Sequence, residues 1–141
     1  MKIIIKHLQQ AFDLTFDLAN AVNYGELKLR LNGLPSNSIG LQFWCITGAR
    51  ESYLKAIINK GWSGFSCSLN DATSKAEVLK CLKKSSEESL SYLNGIELSE
   101  IQIEFLLTLL EHEIQHHGQL IRYFYGNKLV FPESWNKRYT V

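Results

Sequence analysis

His112 and His116 stand four residues apart in "LEHEIQHHGQLIRYF", with Glu113 between them and His117 directly after. Four residues is one helical turn, which brings side chains within about 5–6 Å, close enough for two imidazoles to chelate one ion. The same letters, H-E-x-x-H, form the pattern in which zinc peptidases hold a metal beside a glutamate base. That chemistry needs a third protein ligand. The extended peptidase pattern asks for a glycine and then another histidine further along the helix. Gly118 fits, but Arg122 takes the histidine's place, and the one later carboxylate, Glu133, sits beside a proline. A zincin-type protease is therefore not expected.

The pair keeps a meaning without the peptidase. Phe105, Leu109, His112, His116 and Leu120 fall on one stripe of a helix, which turns both imidazoles inward and places Glu111, Gln115 and His117 elsewhere. Each ring carries polar nitrogens that need partners once buried. A metal meets that need at this spacing; a purely structural pair is the alternative.

Such a pair must be held by other helices. In the first segment Ile4, Leu8, Ala11, Thr15, Leu18 and Val22 share a face, and Gly25 follows its end. "ELKLRLNGLPSNS" alternates at Leu27, Leu29 and Leu31, which allows a short extended piece. A second helix starts behind Pro35 and Ser36-Asn37-Ser38, presents Ile39, Phe43, Ile46, Ala49, Tyr53 and Ile57, and stops at Gly61. Trp62 and Phe65 then anchor a Gly/Ser-rich connector. The third helix opens at Ser74 with Glu77 at capping-box spacing, and its face includes Ser85 and Ser89, small residues that suit either a cavity or a tight crossing. Ser99 and Gln102 repeat the capping spacing before the fourth helix. The tail "KLVFPESWNKRYTV" is aromatic and should lie back across the bundle. The expectation is one all-α domain, residues 1–141, folded as an antiparallel four-helix bundle.

Composition narrows the partners. Of the 141 residues, 45% are hydrophobic and 21% charged, enough to bury a core. Fifteen basic and 14 acidic residues leave a net charge of +1, with no basic run beyond two residues, so no nucleic-acid footprint is expected. "MKIIIKHLQQAF" is too sparsely apolar for a signal peptide or a membrane span, which predicts a cytoplasmic protein with Cys45, Cys67 and Cys81 as reduced thiols.

The segment "HEIQHHGQLIRYFYGNKLVFPESW" resembles the last helix and tail of the DinB/YfiT-like putative metalloenzyme superfamily. Its pattern is a histidine, three residues, a second histidine, a basic residue and Gly-Gln, then an aromatic helix end and a Pro-x-x-Trp tail. His112, His116, His117 (in the basic slot), Gly118 and Gln119 match in order, and Pro132 and Trp135 follow. "IGLQFWCITGARESYL" is similar to the family's second helix. The resemblance implies an up-down-down-up bundle, often a homodimer, with a divalent metal such as zinc or nickel between helices two and four. It also implies a metal-dependent transferase or hydrolase working with a low-molecular-weight thiol and a small electrophile.

One position departs from the pattern. The family's third ligand is a histidine, and Cys45 stands there in this chain. A thiolate is a legitimate zinc ligand, though shorter in reach; a buried apolar filler is the alternative. On the ligand reading Glu113 and Gln119 would orient an imidazole, with Glu113 also a candidate general base or else a solvated side chain. The competing class is a degenerate, non-catalytic bundle with a structural or stress-related role.

Overall fold

The computed structural model describes residues 2–141, and every periodic segment becomes a helix. α1 spans Lys2–Ala21, α2 Ile39–Asn59, α3 Lys75–Asn94 and α4 Glu100–Gly126; a short α5, Glu133–Tyr139, ends the chain. No strand occurs among the described residues, and no helix there is long and apolar enough to cross a membrane. The alternating leucines after α1 form a single 3-10 turn, Glu26–Lys28, rather than a strand. Gly25 precedes it at φ 90°, a left-handed setting that suits glycine.

The helix starts follow local chemistry. Ser38 accepts the amide of Leu41, and Ser74 accepts that of Glu77, satisfying orphan donors of the first turn. At α4 the Gln102 side chain reaches back to the Ser99 amide at 3.0 Å, the reciprocal half of a capping box. α2 stops one residue earlier than its glycine suggests: Lys60, not Gly61, takes the left-handed position, at φ 54°.

α1 packs on α3 and α4, and α2 packs on the same two helices. Asn37 meets Tyr123, Gln42 meets His116, Arg50 meets Glu113 and the Ile57 carbonyl meets Gln102, so α2 numbering rises as α4 numbering falls. Leu18, Phe43, Ile46, Leu82, Leu120, Phe124 and Trp135 form the larger of two apolar clusters. Leu8, Phe12, Ile57, Leu93, Leu106 and Leu109 form the other. Ser85 and Ser89 are both buried.

The connectors lie on the bundle. Phe65 rests so tightly on Gly48 that a Cβ there would come 2.2 Å from its ring. Trp44 packs beside Phe65 with ring centroids 5.0 Å apart, and Trp62 packs on Tyr53 at 4.9 Å. α5 folds back as expected: Trp135 is fully buried and donates its indole N–H to the Leu14 carbonyl at 2.7 Å.

Candidate metal centre

α4 is enclosed on a wider arc than its apolar stripe indicates, because α1, α2 and α5 all reach it. The centre of that arc is Glu113, fully buried, with His117 also fully buried; His112 lies at the edge, half exposed. The expectations that Glu113 is solvated and that His117 points away from the core are therefore overturned. The cause is Arg50. A guanidinium brought in from α2 supplies the charge that lets a carboxylate stay in the core.

Arg50 Nε and Nη2 donate to the two Glu113 oxygens at 3.1 and 2.5 Å, and Nη1 donates to the Leu82 carbonyl at 3.1 Å. The same guanidinium lies 3.9 Å from the centre of the Phe12 ring. Burial pushes the Glu113 carboxyl up, but the Arg50 charge and hydrogen bond, with His117 and Thr15, outweigh it and hold the pKa below the usual range. Thr15 donates its hydroxyl to Glu113 and so accepts from His117 Nε2–H at 2.7 Å. Tyr139 donates to His117 Nδ1 at 2.6 Å. Burial lowers His117 to about 4, so it is neutral at pH 7 and its 4.0 Å approach to Glu113 is not an ion pair.

On the adjoining stripe of α4, which carries His112 and His116, the polar groups are spaced quite differently. Cys45, His112 and His116 each offer a ligand atom, all within 4.8 Å of one another. Cys45 Sγ lies 3.8 Å from His112 Nε2. Zinc bond lengths place sulfur and nitrogen ligands about 3.6 Å apart around a tetrahedral ion, so α2 does come close enough for the shorter side chain. The imidazoles sit 4.6 Å apart between centroids. His112 Nδ1 is buried with no hydrogen-bond partner, a polar atom left unsatisfied by the protein alone. The donor set suits a metal: a soft sulfur and two nitrogens, which could hold an ion and leave a fourth position open.

Protonation is consistent with that use. Burial lowers His112, while burial and then the neighbouring His112 lower His116 to about 4, so both rings are neutral and able to ligate at pH 7. Burial raises the Cys45 thiol, so an ion would have to displace its proton.

The remaining expected site residues lie elsewhere. Gln119 is exposed, as is Gly118, and the group that bonds His116 is Gln42, whose Oε1 is 2.6 Å from Nδ1. Glu113 turns both oxygens to Arg50 and Thr15, away from the histidine pair. Gln42, Arg50 and Tyr139 were not picked out by spacing, and Thr15 was placed on the inward face of its helix without a polar role. The available signal was Arg50 itself, a charge inside the run "ITGAR" on a helix buried nearly all round. No protein-family model and no curated protein sequence matches this chain.

Proposed function

We propose that this chain is an up-down-down-up four-helix bundle of DinB/YfiT-like type. In this reading it holds one divalent ion, zinc or nickel, on Cys45, His112 and His116. The ion would serve to activate a low-molecular-weight thiol toward a small electrophile. The convergence of three ligand atoms from two helices within 4.8 Å carries the reading. The residue-by-residue meeting of α2 and α4 supports the topology.

A bound ion of this kind lowers the pKa of a thiol or water at its open position and supplies a nucleophile at neutral pH. The chain's part is to present two neutral imidazoles and a Cys45 thiol whose proton the ion would displace, and to leave one side accessible, since Cys45 and His112 are only half buried. Glu113 is committed to Arg50, so no carboxylate of the motif is free to act as a base toward water. That favours thiol transfer over hydrolysis, because a thiol is the stronger acid of the two. The same observation supports a second reading, a degenerate bundle that binds metal or nothing and catalyses no reaction.

Metal titration separates these readings. The wild type should take up one zinc per chain, and His112→Ala or His116→Ala should abolish it. Cys45→Ser should weaken binding at least about a hundredfold by removing the thiolate. Unchanged affinity in Cys45→Ser would return the cysteine to a filler role. A homodimer belongs to the same proposal. Tyr123 is in the core, but Tyr125 and Trp62 are 55% and 49% exposed, and sedimentation giving only monomer would remove the dimer.

A further inference from the structure

Asn37, Gln42 and Tyr123 line a groove of about 310 Å³ together with Gln119 and Arg122. Their polar atoms form an unbroken chain that ends on a candidate ligand. The Tyr123 hydroxyl lies 2.6 Å from Asn37 Oδ1 and 2.8 Å from the Asn37 carbonyl. Gln42 Nε2 donates to the same Oδ1 at 2.7 Å, and Gln42 Oε1 faces His116 Nδ1 at 2.6 Å.

The polarity of this chain has a chemical consequence. With its amide N–H₂ committed to Asn37, Gln42 presents only an acceptor to His116, so the proton between them sits on Nδ1. A neutral imidazole has one N–H, and the lone pair is therefore on Nε2. His112 has no such constraint: its Nδ1 finds no partner, and Cys45 Sγ, 3.8 Å from its Nε2, can donate or accept.

We propose that Gln42, fixed in turn by Asn37 and Tyr123, is a positioning residue that presets His116 in the Nδ1–H tautomer, leaving Nε2 as its ligating nitrogen. His116 is then the prepared half of the pair and His112 the adaptable half. The effect on metal affinity rests on the proposed function; the tautomer does not.

Long-range ¹⁵N NMR of the metal-free protein at neutral pH reads the tautomer directly. His116 should show a protonated Nδ1 and an unprotonated Nε2. Gln42→Leu, close in size, should abolish that preference and weaken zinc binding about 10- to 100-fold with helicity unchanged. Gln42→Glu, which can only accept as a carboxylate, should retain the Nδ1–H tautomer and bind zinc at least as tightly as the wild type. A wild-type His116 protonated at Nε2 overturns the proposal, as does a Gln42→Leu protein with unaltered tautomer and affinity. Should Gln42→Leu fail to fold, the wild-type spectrum and Gln42→Glu still decide. A wild type that shows the Nδ1–H tautomer yet binds no zinc upholds the positioning role and removes the metal reading alone.

Discussion

His112 and Glu113 are neighbours in the chain, yet they belong to polar clusters with opposite properties. Around Glu113, the groups Arg50, Thr15, His117 and Tyr139 form a closed network in which each principal donor meets an acceptor, and Arg50 and Glu113 are fully buried. Around His112, three potential ligand atoms face one another at a half-open edge, and one ring nitrogen has no partner. A satisfied polar network in a low dielectric holds elements in one arrangement, whereas ligand atoms not committed to such a network remain available for chemistry. The first cluster ties α4 to α1, α2 and α5, while Cys45 and the two histidines join only α2 and α4.

If this division of labour is right, the two clusters fail in different ways. The largest effect is expected for Glu113→Ala, which strands the Arg50 guanidinium in the core with only the Leu82 carbonyl and the Phe12 ring beside it. Chemical denaturation should show a loss of about 3–5 kcal/mol. His112→Ala, at the open edge, should cost less than about 1 kcal/mol. A Glu113→Ala protein as stable as His112→Ala would erase the distinction.

Acid should act next, and through both clusters, since His117 in the closed one and His116 in the open one are each held near 4. His117 titrates at 6.5 when unfolded but is held near 4 by burial in the fold. Between those values the unfolded chain binds a proton that the folded chain refuses, so stability is complete above pH 6.5 and falls toward pH 4. The loss is on the order of 3 kcal/mol for this one histidine. Glu113, depressed in the fold, adds a further loss as pH falls below its unfolded value of 4.5. His116 adds a loss over the same range, so stability curves at stepped pH should show the summed slope, and His117→Gln should reduce its upper part without removing it.

The smallest effect is expected at the rim of the network. Tyr139→Phe removes the donor to His117 Nδ1 but leaves the ring packed beside Trp135, 5.2 Å between centroids. It should cost about 1 kcal/mol and leave zinc binding unchanged. A larger change in metal affinity than in stability would mean that the two clusters are coupled through α4 rather than separate in function.

The amino-acid sequence by itself determined the parts of this protein that depend on near neighbours. Helix positions, the serine caps at 38, 74 and 99, and the one-turn spacing of His112 and His116 are set within a few residues and were legible as such. The return of the aromatic tail was legible too, because Trp135 and its neighbours needed burial. Only the tertiary structure decided which residues meet across 63 to 102 positions. Arg50 finds Glu113 63 residues away, Thr15 finds His117 at a separation of 102, and Gln42 finds His116 at 74. Periodicity describes a helix against an average apolar environment. It therefore placed the centre of α4 on the imidazoles and left Glu113 outside, since a carboxylate is costly in a core until a specific cation is beside it. That cation comes from another helix, and its arrival is a property of packing, not of spacing.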